Sequence, residues 1–267
     1  MPSGDHEHLA HASLLIIEIG NSHISVATDI DSDIRSNMRF GHDQLDEALE
    51  TAVESWEALP EDRVRSIAAG SVVASVLDAV QSRLQKRVNE PIRAVGKELQ
   101  QTLSHARESP EAVGIDRVCA AAAAYGEVGR ACAVAGFGTA ITVDCVNDEG
   151  VFMGGAILPG LSLQARSLSE WTDALPPVSV EATDAIFGAT TEQAIRNGIL
   201  FGAIGAVREI TERFATELKT WPQLVATGGN AELICSNCDF IDSIIPDLCV
   251  RGIALAHRRH FEPIDIE

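Results

Sequence analysis

The stretch LLIIEIGNSHISVA, Leu14 to Ala27, is an apolar run that enters a Gly-Asn-Ser turn and leaves through alternating residues. It reads as two strands, 13–19 and 23–29, joined by a tight turn. One carboxylate, Glu18, interrupts the apolar run two residues before Gly20. Burying an ionised carboxylate without a partner is costly, so packing gives no reason for an acid here. A glycine turn lets backbone N–H groups approach a phosphate with no side chain in the way. An acid at its mouth can hold Mg²⁺ against that phosphate, directly or through water. By itself a Gly-Asn-Ser turn is more often an ordinary hairpin.

The pattern restarts at ACAVAGFGTAITVDCV, residues 131–146: a strand, the turn Gly138-Thr139-Ala140, and a second strand. After the first hairpin come a helix over 44–58, a strand over 66–73, a helix over 75–88, a short strand over 91–95 and an Ala-rich helix from Asp116 to about Val128. After the second come a strand over 151–160, a helix to about Ser169, a long helix within Thr191–Lys219, a strand over 224–227, a helix after Gly228-Gly229, and a last helix ending near Arg259. Two halves that each begin with a strand, a glycine turn and a strand, and continue through helices and further strands, indicate a duplicated α/β architecture, and ligands of such folds favour the crevice between halves. The division is a disordered tail over 1–12, a first half over 13–129 and a second over 130–267.

Composition narrows the partners. Against 20 Lys and Arg stand 39 Asp and Glu, a net charge of -19, and that field repels nucleic acid and anionic membranes. It also repels an anionic ligand, so a phosphate site needs local N–H groups or a metal. Acidity of this degree also serves solubility or salt tolerance. No stretch is apolar for the ~20 residues of a membrane span, and the N-terminus lacks the features of a secretory signal. His6, His8 and His11 read as an incidental polar tail. Six cysteines lie mostly in apolar segments, which fits a reducing cytoplasm. Cys235 and Cys238 form a C-x-x-C, but zinc would want a second pair and a thioredoxin-type motif would open a helix rather than close one.

A third cluster is VGIDR, residues 113–117. Gly114 frees the backbone, and Asp116 begins a helix beside Arg117, where the helix dipole favours a carboxylate. Read locally, Asp116 is a helix cap; in combination with the two turns it is a candidate catalytic acid or base.

With these residues in place the sequence resembles the type III pantothenate kinases, the family that includes the Bvg accessory factor. The matches run in order: EIGNS for D-x-G-N-[ST], VGIDR for G-x-D-R, GFGTAITVD for G-T-A-x-T-x-D, GGAILPGLSL for G-G-x-I-x-P-G, then TTEQAIRNG, TGGNA and DLCVRGI. The resemblance implies an acetate and sugar kinase/Hsp70/actin-like fold, with two ribonuclease H-like halves around a cleft, and a cytoplasmic homodimer. It implies transfer of the γ-phosphoryl of ATP to the primary hydroxyl of pantothenate, the first step toward coenzyme A, with Mg²⁺.

Carried over by position, Asp116 is the general base. Gly114, Ile115, Asp116, Arg117 and Thr191 bind pantothenate. Glu18, Gly20, Asn21 and Ser22, in a stretch reaching Ser25, bind ATP together with Gly138 and Thr139, and Glu18 is the Mg²⁺ ligand. Four positions depart from the family. Glu18 stands for Asp, Gly136 for the Asp that holds a potassium ion, Arg107 for a pantothenate-contacting Tyr, and Asn230 for Asp in T-G-G-D-A. No potassium ligand is therefore expected at Gly136. The alternative function is a catalytically impaired homologue that binds or regulates. The helix over 193–208 offers Ile195, Ile199, Leu200, Ile204 and Val207, with Gly198, Gly202 and Gly205, either to a dimer partner or to the core of its own subunit.

Overall fold

The computed structural model describes residues 8–106, 113–182 and 185–262. The chain divides into two units. The first comprises residues 1–104, 108–123 and 247–267; the second comprises 105–107 and 124–246.

In the first unit, β1 (Ser13–Ile19), β2 (His23–Ile30) and β3 (Asp33–Gly41) form an antiparallel meander. α1 (Leu45–Glu57), β4 (Arg65–Ser71), α2 (Ala74–Val88) and β5 (Ile92–Ala94) follow. The sheet order is β3-β2-β1-β4-β5, with β4 parallel to β1 and β5 parallel to β4. Because side chains alternate along a strand, Leu15, Ile17 and Ile19 face one way. They pack with Leu49, Ala52 and Trp56 of α1 and with Leu77, Val80 and Leu84 of α2. Leu14 and Ile16 face the other way, where Ile115 and Cys119 lie with Val250, Ile253 and Ala254. Glu18 continues this second set. The period of two thus puts the acid on the face covered by α3 (Ile115–Val128) and the last helix.

In the second unit, after the short β6 (Ser104–His105), β7 (Cys132–Phe137), β8 (Ala140–Val146) and β9 (Val151–Pro159) repeat the meander. α4 (Leu161–Glu170), α5 (Thr191–Leu218), β10 (Gln223–Thr227), α6 (Ala231–Cys235) and β11 (Ser243–Ile244) complete it. The order β11-β10-β7-β8-β9-β6 contains the first sheet's arrangement and adds one edge strand. Its core joins Ala133, Ala135, Phe137, Ile141 and Val143 to Leu161 of α4 and to Ile199, Leu200 and Val207 of α5.

Three expectations change. α7 (Leu248–Phe261), assigned by sequence to the second half, packs on β1 and β4 in the first unit. Glycines allow its close fit: a β-carbon at Gly252 would stand 2.0 Å from the Cys119 carbonyl oxygen, and one at Gly70 would stand 2.7 Å from Ile253. Arg258 of α7 also pairs with the buried Asp29 of β2. Residues 8–12, expected within a disordered tail, begin with a helical turn, and Ala10 and Ala12 are buried in the first unit's core. β3 was not expected at all. Its residues DIRSNMRFG are half polar, and the hairpin before it turns through Asp31 and Ser32 at positive φ (57° and 67°) without a glycine to announce it.

Candidate functional site

Glu18 lies near the C-terminal end of β1, with Ser25 of β2 directly opposite. The buried Ser25 hydroxyl donates to Glu18 Oε2 at 2.6 Å. The other oxygen, Oε1, lies over the turn, 3.2 Å from where a β-carbon on Gly20 would be. The turn is closed by the Gly20 N–H donating to the His23 carbonyl at 2.9 Å, and a His42 ring nitrogen stands 2.9 Å from the Gly20 carbonyl oxygen. Asn21 is exposed and Ser22 half-buried. Burial raises the proton affinity of Glu18 above the usual carboxylate range. The Ser25 hydrogen bond and Arg39 act against burial, and the charge of Asp116 adds to it.

Asp116 occupies the first turn of α3. Its Oδ1 accepts the Arg117 N–H at 2.9 Å, and the Gly114 carbonyl accepts the same N–H at 3.1 Å. A β-carbon on Gly114 would lie 2.6 Å from Asp116 Oδ1, so the carboxylate takes this position because residue 114 has no side chain. Ile115 is buried and anchors the turn; Asp116 and Arg117 are partly exposed. Two thiols lie near the acids, the buried Cys119 and the partly buried Cys249. Cys119 and Cys249 are both pushed up, first by burial and then by Glu18 and Asp116, so they stay thiols.

In the second unit, Gly138 and Thr139 form the turn between β7 and β8, and both are exposed. Two other glycine segments brace it backbone to backbone. The Gly160 N–H donates to the Thr139 carbonyl at 3.0 Å, and a β-carbon on Gly160 would meet the Gly138 carbonyl oxygen at 2.3 Å. Gly228, at φ 95°, leaves no room for a β-carbon beside the Phe137 carbonyl oxygen (2.7 Å), and the Asn230 N–H donates to that same oxygen at 3.1 Å. The motifs around Gly138, Gly160 and Gly228, separate in sequence, thus converge on one turn. Thr191 is exposed at the start of α5, next to Thr190, whose hydroxyl accepts the Gln193 N–H at 3.2 Å. Gly136 lies in β7 between Thr142 and Thr227. Arg107 lies outside the described residues.

Sequence reasoning missed the contribution of β3. Arg39 stands opposite Ser25 across the sheet and pairs with Asp247 at 3.1 Å; Asn37 donates to the same carboxylate at 2.7 Å. Asp247 begins α7 at φ 58°. Polar residues alternating in a strand were the available signal, and a half-exposed edge strand gives it only weakly. Cys235 ends α6 and Cys238 lies three residues beyond it, both as free thiols, the first pushed up to about 11 by burial.

Among the described residues, no group of three or more His, Cys, Asp or Glu is arranged to hold a metal ion. Mg²⁺ bound to a nucleotide needs only one or two protein carboxylates, the rest of its shell being phosphate and water. Glu18 with Asp116 nearby fits that requirement. Gly136 offers no donor to a monovalent cation, and Thr142 Oγ1 stands 2.8 Å from where its β-carbon would be.

Two sheets of one strand order, each opened by a glycine hairpin, define the actin-like ATPase fold. A conserved Baf family protein of Campylobacter jejuni, described as a transcriptional activator, shares that fold at TM-score 0.60 and 20% identity, over 92% of this chain and 98% of its own. Component A of (R)-2-hydroxyglutaryl-CoA dehydratase from Acidaminococcus fermentans does so at TM-score 0.51 and 12% identity, over 94% and 98%. The family model described as type III pantothenate kinase matches residues 14–213. A type III pantothenate kinase of Syntrophotalea carbinolica is 32% identical over 252 residues, 92% of this chain and 99% of that one. The chain belongs to the type III pantothenate kinase family: it is a phosphotransferase that phosphorylates pantothenate in coenzyme A biosynthesis.

Proposed function

We propose that Asp116 is the general base of this pantothenate kinase, that Glu18 serves the metal of the nucleotide, and that ATP is the phosphoryl donor. The observation carrying this reading is the pair of carboxylates in the first unit. Asp116 is held by the Arg117 N–H over a residue without a side chain, and Glu18 is held by Ser25 over Gly20. Phosphoryl transfer asks the protein mainly for positioning and charge neutralisation, with one carboxylate to take the proton of the attacking hydroxyl. Asp116 takes that proton from the primary hydroxyl of pantothenate. Gly114, Ile115 and Arg117 shape the same end of the substrate site, with Thr191 as a further contact. The N–H groups of the Gly20–Ser22 and Gly138–Thr139 turns bind phosphate oxygens of ATP. When bound, Mg²⁺ neutralises charge on the transferring phosphoryl group, and Glu18, with Asp116 nearby, is the chain's group toward it. No role is assigned to a potassium ion, because Gly136 supplies no ligand.

The protein acts in the cytoplasm as a homodimer. Six cysteines, all free, suit a reducing compartment, and no helix among the described residues is long and apolar enough to cross a membrane. Support for a dimer comes from α5. Its buried side, with Ile195, Ile199, Leu200 and Val207, serves its own unit's core. Gly198, Gly202 and Gly205 face open space beside the exposed Phe201. The deciding experiment is a coupled ADP-release assay with pantothenate, ATP and Mg²⁺. Pantothenate-dependent ADP release is expected; its absence from folded protein would favour a binding or regulatory role instead.

A further inference from the structure

The two hairpins can be compared position by position. Glu18 and Gly136 each precede the turn glycine by two residues, and each faces a hydroxyl residue on the next strand, Ser25 and Thr142. In the second hairpin the acid is missing, and Thr142 Oγ1 stands over the bare glycine. In the first the hydroxyl is engaged by the acid. Ser25 is 1% exposed and sits in an otherwise apolar stretch of β2, and its hydroxyl donates to Glu18 Oε2. With Oε2 held there, Oε1 is carried over Gly20, at the mouth of the turn. A glutamate side chain has considerable rotamer freedom to lose when it is fixed. Arg39, the next residue across the sheet, is paired with Asp247 and leaves the Glu18–Ser25 hydrogen bond to fix this carboxylate.

We propose that Ser25 is a positioning residue for phosphoryl transfer: it locks the carboxylate of Glu18 over Gly20, so that Oε1 is ready for the metal of the bound nucleotide. The inference rests on the assignment of Glu18 to the nucleotide metal made above. It makes Glu18 and Ser25 one functional unit, in which the reach of glutamate is set by a hydrogen bond across the hairpin.

The test is a double-mutant cycle read by calorimetric titration of Mg–ATP and, in EDTA, of metal-free ATP. Ser25→Ala should weaken Mg–ATP binding by about three- to tenfold, the effect of having to immobilise one flexible side chain on binding. It should leave metal-free ATP binding unchanged. In a Glu18→Asp background, where the shorter acid no longer reaches the hydroxyl, Ser25→Ala should have no effect. Ser25→Cys, a near-isostere and weak donor, should behave as Ser25→Ala and serves if the alanine variant fails to fold. An equal loss in both backgrounds, or a loss that persists without Mg²⁺, would overturn the proposal while leaving the kinase reading intact. Absence of Mg–ATP binding by the wild type would overturn both.

Discussion

Thr142 Oγ1 stands 2.8 Å from the point a β-carbon would occupy on Gly136, directly across the β7–β8 ladder. The hydroxyl fills the space in which an acid at residue 136 would begin. With neither a ligand nor room for one, the kinase rate should be indifferent to exchanging K⁺ for Na⁺. Steep activation in a K⁺ titration would show that other groups build a cation site. Introducing Gly136→Asp should not create one by itself. It should displace Thr142 and lower stability by about 1–3 kcal/mol, as overpacking does, measured by denaturant midpoint.

The proposed role of Asp116 as general base is tested by removing its charge. Asp116→Asn should keep the fold and Mg–ATP affinity and lower kcat by ~10²–10⁴-fold. Gly114→Ala should act on the same parameter, because its new β-carbon would lie 2.6 Å from Asp116 Oδ1 and push the carboxylate aside. Unchanged turnover in Asp116→Asn would remove this residue from the mechanism.

His257 gives the stability a pH dependence that is independent of catalysis. It is fully buried in α7, with a ring nitrogen 2.9 Å from the Ser66 hydroxyl. Burial, together with the positive charges of Arg93, Arg258 and His260, holds its pKa down at about 3. Between about 6.5 and about 3 the unfolded chain therefore binds a proton that the folded chain refuses. Stability is complete above this window and falls as pH drops through it, by up to ~1.4 kcal/mol per pH unit from this group. Urea titrations at pH 7 and pH 5 should show the loss. In His257→Leu the protein should be less stable at pH 7, but its slope with pH should be flatter.

The open face of α5 predicts the assembly. A β-carbon added at Gly198, Gly202 or Gly205 meets nothing within 4 Å in its own subunit. Gly202→Ala should therefore be tolerated, with a gain of up to ~1 kcal/mol in helix propensity. Gly202→Glu should leave the fold intact and convert a dimer into a monomer by light scattering. A wild-type monomer at micromolar concentration would refute the dimer.

Much of the candidate site was legible in order along the chain. The Glu18–Ser22 and Gly138–Ala140 turns and Gly114–Arg117 were read from sequence, because tight turns require glycine locally; that Gly160 and Gly228 close on the Gly138 turn was not. The strands around both hairpins were equally legible, since a buried strand of Ile, Leu, Val and Ala has few other readings. Asp31 and Ser32 turn the β2–β3 hairpin without glycine, so β3 and Arg39 were not. Nor did the sequence distinguish the two faces of α5, whose apolar residues and glycines recur at overlapping helical spacings.

By itself, then, the sequence determined the duplicated α/β architecture, the two glycine hairpins, Glu18 beside the first of them and Asp116 at the start of a helix, because each rests on contacts within a few residues. Only the tertiary structure decided what surrounds those acids. Leu14 and Ile16 face α3 and α7, so the strand's period of two carries Glu18 to the same side as Asp116, Cys119 and Cys249. α7 returns across more than a hundred residues because Gly70 and Gly252 leave room for it and Asp29 offers Arg258 a buried partner. That return depends on shape and charge matching between distant segments, a property that no local window of the sequence contains.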